Sequence, residues 1–291
     1  MHTTILKFLS KIFVINIIII ITTISYAENL TKLPRQKLVP GGIAIISLPS
    51  DTVKVTYNTN PVFITKFKNK KYAIIGIPLD LEDKINKKSI YEKIIIKTNH
   101  KTINKLFKVN QTNYPTSRIT IKNNQMVKPN NTNLQRILND QKLIKSNYNS
   151  YTNFNNNFSS LLIEQPTKGI ASSSFGSRRI INNIKKNPHK GMDIATAKGS
   201  PIYSPLLGKV ILAKNLFLPG NTVIIDHGKG LKTLYAHLDK INVKPNQTIN
   251  KNYKIGTVGN TGRVTGPHLH WSIILNGEAV NPNLFLKKQK S

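Results

Sequence analysis

The sequence predicts an all-β-dominated protein. We expect a small β-sandwich-like N-terminal domain, a short helix and linker, and then a second domain built on an antiparallel β-sheet. Two observations support this fold class. Short apolar or alternating runs, separated by turn-forming residues, recur in both halves of the chain. Between the halves lie one stretch of helical periodicity and one asparagine-rich stretch. A chain of 291 residues is long enough for two domains of ordinary size.

The first 27 residues have the composition of a targeting segment. Lys7 and Lys11 precede an apolar run over residues 12–24, and the segment closes with Ser25-Tyr26-Ala27. A basic start, a short apolar core and small residues at a cleavage point are typical of a secretory signal peptide. An uncleaved membrane anchor is the alternative, but the run is short for a membrane span and Asn16 interrupts it. We therefore expect an exported protein of the periplasm or cell envelope.

Residues 28–112 are predicted to form the first β domain. Its short strand-like runs are Ile43 to Leu48, Val53 to Tyr57, Val62 to Phe67, Tyr72 to Ile77, Lys93 to Lys97 and Lys105 to Val109. Turn formers such as Asn58-Thr59-Asn60 separate them, which favours a small sandwich or barrel. The single histidine of this region, His100, has no partner at a suggestive spacing. We interpret the region as a structural or regulatory module.

Residues 113–160 are predicted to contain a helix and a linker. The helix would run from Asn131 to Ile144, with Asn131 or Thr132 as its N-cap. Its apolar face would consist of Leu134, Ile137 and Leu138. The asparagine-rich stretch from Ser146 to Ser160 indicates a linker or a mobile loop.

Composition limits the classes of partner. The chain has no cysteine, so neither disulfides nor a lipidated cysteine are expected. Its net charge of +31 favours contact with polyanions, either nucleic acid or the anionic cell envelope. Export would separate the chain from nucleic acid, so we expect no nucleic-acid role. The basic residues are spread over the whole chain, which a general drift in composition would also produce, and the oligomeric state is left open.

Three histidine-containing groups lie in residues 161–291. They are His189-Lys190-Gly191-Met192-Asp193, Tyr235-Ala236-His237-Leu238 and Gly266-Pro267-His268-Leu269-His270-Trp271. In a strand, residues two apart point the same way, so His268 and His270 can converge on one site while Leu269 and Trp271 pack on the other face. Two imidazoles with a carboxylate, leaving one position for water, form a known type of catalytic zinc site. His227, in Ile225-Asp226-His227-Gly228, is interpreted as a structural turn residue.

The order of these motifs resembles a known family. Residues 161–285 are similar to the catalytic domain of the lysostaphin/LytM-type zinc endopeptidases. The shared landmarks are Ser173 to Arg178, the His189 to Asp193 group, Lys198 to Ile202, Gly208 to Val210, Val223 to Gly228, the Tyr235 to Leu238 group, Ile255-Gly256, Gly259 to Gly262 and the Gly266 to Trp271 group. The upstream segments Pro40 to Ala44 and Arg118 to Ile121 more loosely resemble the accessory domain that precedes this peptidase in some Gram-negative members.

The resemblance implies roles for individual residues. His189, Asp193 and His270 would hold one Zn²⁺ per chain, and His237 and His268 would be the catalytic imidazoles beside it. The glutamate base of an HExxH motif is absent, so one of these two imidazoles would act on the water proton, and which one stays open. Asn246 and Asn252 stand in turns where the family usually has glycine. Because asparagine tolerates the left-handed region better than other side chains, we expect both turns to survive.

The function implied by the resemblance is hydrolysis of peptide cross-links in peptidoglycan. The Gram-negative character of the upstream region favours a D-alanyl-diaminopimelate link over a glycine bridge. An inactive envelope regulator that activates wall amidases is the alternative, although the five intact residues argue against it. An adhesive envelope protein, and a secreted toxin against other bacteria, are further alternatives.

Overall fold

The computed structural model describes residues 32–85, 88–154 and 158–287. The predicted signal peptide therefore lies outside the described residues. The N-terminal part contains seven strands: β1 (Ile43–Leu48), β2 (Thr52–Tyr57), β3 (Asn60–Pro61), β4 (Phe63–Phe67), β5 (Lys70–Gly76), β6 (Ser89–Thr98) and β7 (Thr102–Asn110). A 3₁₀ helix, Leu79–Lys84, follows β5. All six predicted strand-like runs of this region coincide with strands, although β6 and β7 are longer than the runs that indicated them.

Two antiparallel sheets form a small sandwich in this part of the chain. One has the strand order β1-β5-β4 and the other β3-β2-β6-β7. Their facing side chains enclose a core that includes Val55, Tyr57, Ile75, Ile94 and Ile96, all almost completely buried. Alternate residues of β6 are exposed from Tyr91 to Lys97, as expected for a strand with one face on the core. The predicted β-sandwich-like domain is confirmed.

A connecting segment leads to the second sheet. It contains β8 (Thr116–Ile119), a 3₁₀ turn (Asn124–Met126) and helix α1 (Asn131–Asn149). The helix begins at Asn131 as predicted, but its N-cap is Asn130 instead of Asn131 or Thr132, and the Asn130 side chain accepts a hydrogen bond from the amide of Asn133. It also continues to Asn149, so the first residues of the predicted linker are helical.

The predicted apolar face of α1 is only partly correct. Ile137 is buried, but Leu134 and Leu138 are 44% and 42% exposed. The helix packs instead through its C-terminal half, where three side chains contact an apolar cluster on the outer face of the second sheet. These side chains are Leu143, Ile144 and Tyr148.

The remaining strands form the second sheet and part of a separate small one. They are β9 (Ile170–Ser173), β10 (Arg178–Ile181), β11 (Ile184–Lys186), β12 (Met192–Ala195), β13 (Pro201–Tyr203), β14 (Gly208–Leu216), β15 (Gly220–Asp226), β16 (Lys232–Ile241), β17 (Thr248–Ile249), β18 (Lys254–Val258), β19 (His268–Leu275) and β20 (Glu278–Val280). A 3₁₀ helix, Pro282–Phe285, follows β20. The main path is β17-β14-β15-β16-β19-β12-β9, and β13, β18 and β20 attach to it. Strands β10 and β11 pair with β8 in a separate small sheet.

The two β regions share one apolar core. Ile43, Phe63 and Ile74 of the sandwich belong to the same buried cluster as Trp271 and Ile273 of the second sheet. A polar contact supplements this packing, since the buried carboxamide of Asn276 makes two hydrogen bonds with the backbone of Gly76. Within the described residues, no helix combines the length and apolar character needed to cross a membrane.

Candidate active site

Two neighbouring strands place Asp193 and His270 side by side. Asp193 lies on β12 and His270 on β19, and the antiparallel register pairs them directly. Directly paired residues point to the same face of a sheet, so their side chains meet. Leu269 and Trp271 alternate to the other face and are fully buried in the core. The predicted strand behaviour of the His268–His270 pair is confirmed.

His189 reaches the same point from the loop before β12. Its backbone is fixed by hydrogen bonds with Gly176 and Ser177. Its Nε2 lies 2.9 Å from His270 Nδ1 and 2.9 Å from Asp193 Oδ1, and His270 Nδ1 lies 2.9 Å from the same oxygen. The structure therefore brings together the three residues predicted as metal ligands, of which His270 lies far from the other two in the sequence.

The donor atoms of this cluster suit a cation. The Nδ1 of His189 lies 3.0 Å from the carbonyl of Ser174, which can only accept, so Nδ1 carries the ring proton and Nε2 presents a lone pair. His270 can donate from Nε2 to Ser272 Oγ at 3.0 Å, which leaves Nδ1 as an electron donor. Lone pairs on two imidazoles and a carboxylate then face one another, an arrangement that a shared metal ion stabilises.

The protonation of the cluster also fits metal binding. Burial lowers the pKa of His189 to about 4, so its imidazole is neutral near pH 7. Burial alone would raise the pKa of Asp193, but the contacts with the neighbouring imidazoles of His189 and His270 outweigh it, and the pKa lies well below its usual range. The ionised carboxylate is held from its other side, because Arg179 Nη2 donates to Oδ2 at 3.0 Å.

Two further imidazoles lie beside the cluster. The ring centroids of His237 and His268 are 4.9 Å apart, and those of His237 and His270 are 6.1 Å apart. The Nδ1 atoms of His237 and His268 contact the carbonyls of Thr261 and Gly266 at 2.8 and 2.9 Å. Both Nδ1 atoms therefore carry a proton, so the neutral form of each ring presents an unprotonated Nε2.

The backbone of His237 is unusual. Its φ angle of 64° lies in the left-handed region, which is uncommon for a residue other than glycine. The amide of His237 bonds to the carbonyl of Pro219, and β16 shifts register against β18 just beyond it. Such strain is concentrated at functional sites, where the surrounding structure enforces it. Burial, with the nearby charges of His270 and His268, lowers the pKa of His237 to about 3.

The segment around β8 lies across the site. β8 pairs in parallel with β10, and Ile119 and Ile121 line the same cavity as His237 and His268. A neighbouring cavity of about 370 Å³ extends from Asp193 and His268 along residues 172–174. Ile119 and Ile121 belong to a small apolar cluster with side chains of β10 and β11. A ligand that enters this groove meets β8.

Several residues at the site were not anticipated. Arg179 and Arg263 line the cavity beside the imidazoles, yet neither belongs to a motif that indicates catalysis. The second arginine of the run Arg178-Arg179, next to a landmark of the family, was the available signal for Arg179. His227 lies outside this group: it is fully buried, and its ring nitrogens contact Leu207 O and Thr233 Oγ1, as expected for a structural residue.

Comparison with known proteins decides the family. Residues 187–282 match the family description "Peptidase family M23", and residues 36–110 match "Peptidase family M23 N-terminal domain". A crystal structure of a peptidase M23 from Pseudomonas aeruginosa is similar over 86% of this chain and 96% of its own, with 30% identity and a TM-score of 0.71. The chain belongs to peptidase family M23. The sequence-based resemblance and the predicted order of a β-rich accessory domain before a β-rich catalytic domain are confirmed.

Curated relatives within M23 match over the catalytic part. Peptidoglycan DD-endopeptidase ShyA of Vibrio cholerae is 45% identical over 111 residues, which are 38% of this chain and 26% of the relative. The DD-carboxypeptidase/endopeptidase Mpg of Neisseria meningitidis is 39% identical over 94 residues, which are 32% of this chain and 22% of the relative. The matches thus span about a quarter of the length of these relatives.

Proposed function

We propose that this M23 chain is an exported zinc endopeptidase that hydrolyses peptide cross-links of peptidoglycan, with a D-alanyl-diaminopimelate link as the substrate. The observation that carries the proposal is the convergence of His189, Asp193 and His270 beside His237 and His268. Membership of M23 supports it, as do the names of the relatives ShyA and Mpg. A location in the periplasm or cell envelope follows from the substrate and from the signal-like first 27 residues.

The proposed metal ligands are His189, Asp193 and His270. Two neutral imidazoles and one carboxylate are typical ligands of a catalytic zinc ion. The ionised side chain of Asp193 supplies the carboxylate of this set. When bound there, Zn²⁺ supplies Lewis acidity, which polarises the scissile carbonyl and activates water. Arg179 holds the outer carboxylate oxygen, so that Oδ1 stays directed at the two imidazoles.

His237 and His268 act on the proton and on the developing negative charge. Each ring is oriented by a backbone carbonyl at Nδ1, so its Nε2 faces the reacting groups. One Nε2 accepts the proton of the attacking water, and the proton then passes to the leaving amine. The other ring takes up a second proton from solvent at its Nε2, and in this charged form it donates a hydrogen bond to the oxyanion. The intact set of five residues favours this role over that of a non-catalytic regulator of amidases.

Alanine substitutions distinguish the proposed catalytic imidazoles from the proposed metal ligands. We expect His237→Ala to lose hydrolysis of purified sacculi by at least about 100-fold, because a proton-transfer group contributes roughly that much. Its zinc content, measured by metal analysis, stays near one per chain. His270→Ala loses both zinc and activity. Fragments released from sacculi are identified by mass spectrometry, which also names the bond that is cut.

Other outcomes would contradict the assignment. Full activity of His237→Ala would remove that residue from the mechanism. Undiminished hydrolysis by a wild-type preparation stripped of metal would refute the zinc peptidase itself. Salt-dependent adsorption to sacculi without release of fragments would favour the non-enzymatic alternatives.

A further inference from the structure

Two arginines line the cavity beside the imidazoles. Arg179 comes from β10 and Arg263 from the loop before β19, and both border the cavity that contains His237 and His268. The Arg179 side chain is only 20% exposed. Burial lowers the pKa of Arg263, and the nearby charge of Arg179 lowers it further. Two guanidinium groups therefore face the same space.

The arginines exceed the negative charge available to them. Among the described residues that line this cavity and its neighbour, Asp193 is the one acidic side chain. In the proposed mechanism Asp193 also serves the metal, which adds further positive charge. Desolvated positive charge without a counter-ion is costly. The site is therefore electrostatically incomplete until an anion enters it.

The hydrogen-bonding capacity of both arginines also favours the binding of an anion. Arg179 uses Nη2 on Asp193, while its buried Nε has no hydrogen-bond partner among the described residues. Arg263 Nη1 makes a long contact of 3.5 Å with the carbonyl of Met126. A guanidinium presents five donors in a planar fork that matches a carboxylate. Donors therefore remain for an incoming group.

We infer that Arg179 and Arg263 form a subsite for a free carboxylate on a residue adjoining the scissile bond. The inference rests on the proposed function and adds a determinant of specificity to it. Arg179 is one hydrogen bond away from the ligand Asp193, so a carboxylate held there lies next to the bond that is cut. A cross-link satisfies this requirement when the carbon that bears the scissile nitrogen also carries a free carboxylate. A link to a glycine within a longer bridge does not satisfy it.

A pair of matched substrates tests the subsite. Two synthetic cross-linked peptides differ only in the group on the carbon that bears the scissile nitrogen, which is a carboxylate in one and a carboxamide in the other. We expect kcat/KM of the wild-type chain to favour the acid roughly 10- to 100-fold, the size of a charge-assisted hydrogen bond. Arg263→Gln lowers kcat/KM for the acid and brings the ratio of kcat/KM for the acid to that for the amide close to one.

The controls separate this inference from the proposed function. Arg263→Gln should keep its zinc content and melting temperature, and Arg136→Gln on the exposed side of α1 should keep the full preference for the acid. Equal cleavage of both peptides by the wild-type chain would overturn the subsite and leave the peptidase standing. If neither peptide is cleaved, the peptidase assignment fails, and calorimetric titration of the zinc-loaded chain with the two peptides still decides whether the carboxylate is preferred.

Discussion

At the scale of single residues, the site depends on a close approach that only glycine permits. Gly191 lies between His189 and Asp193, and a Cβ there would come within 2.7 Å of Ser272 Oγ, the Trp271 carbonyl and His270 Cε1. Two of these contacts are with groups that belong to or orient the proposed ligand His270. The spacing of the His189 to Asp193 group thus has a packing cause.

We predict that Gly191→Ala weakens zinc binding by at least about tenfold, because the added methyl group displaces His270 from its partners. Competition with a chelator of known zinc affinity measures the loss. Gly199→Ala is a suitable control: a Cβ at Gly199 meets nothing within 4 Å, although its φ of 88° adds strain that has no connection with the metal. Equal zinc affinity of wild type and Gly191→Ala would contradict this account.

Individual residues also differ in whether their place in the structure could be predicted from the sequence. The two-residue spacing of His268 and His270 correctly predicted one face of a strand. Asn246 and Asn252 have φ angles of 70° and 65°, as expected for asparagines in place of glycine. The left-handed backbone of His237 had no sequence signal, because long-range contacts with Pro219 and Thr261 impose it.

At the scale of elements, β8 restricts the entrance to the site. Asn182 follows β10, and its amide bonds to the carbonyl of Ile119. Its side chain makes two more hydrogen bonds, one from the Ile121 amide and one to the Ile121 carbonyl, each 2.9 Å long. This strand crossing was not predicted, because the pairing of β8 with β10 joins segments about sixty residues apart.

Asn182→Gly should raise hydrolysis of soluble peptides several-fold. The φ angle of Asn182 is 48°, so glycine keeps the turn and removes only the side-chain hydrogen bonds, each contributing about 1 kcal/mol. Asn183→Gly is a matched control, because its φ is also positive, at 63°. Initial rates on one peptide compare the three proteins. Unchanged or slower turnover by Asn182→Gly would indicate that β8 serves as a wall of the groove and does not limit entry.

The C-terminal end of α1 illustrates why element boundaries escaped prediction. Lys232 is fully buried, and its ammonium group donates to the carbonyls of Tyr148 and Ser150. A cation at the end of a helix stabilises the last carbonyls. This support comes from β16, so the local composition of residues 146–149, with its asparagines and serine, indicated a linker where the structure has helix.

At the scale of the whole molecule, buried histidines make stability depend on pH. Burial lowers the pKa of His227 from 6.5 to about 4. The unfolded chain therefore binds a proton near pH 6.5, whereas the folded chain does so only near pH 4. The contribution to stability is complete above pH 6.5 and is lost as the pH falls through this window.

We expect the free energy of unfolding to fall between pH 7 and pH 5, and His227 alone to account for about 2 kcal/mol of that decrease. His227→Asn should show a correspondingly smaller decrease, although it is less stable at pH 7 because the buried contact with Thr233 is lost. Urea unfolding of chelator-treated protein at both pH values measures the effect without a contribution from metal release. Equal decreases in the free energy of unfolding of the two proteins would exclude His227 as a source of the pH dependence.

The apolar core common to the two β regions has a consequence for any cut in the connecting segment. Ile43, Phe63 and Ile74 are buried against the catalytic sheet, and the Asn276 side chain makes two hydrogen bonds with the backbone of Gly76. Severing the peptide chain near residue 150 would leave these surfaces in place. The two fragments are then expected to stay together as a nicked, non-covalent pair, because separating them would expose apolar surface of both fragments to water.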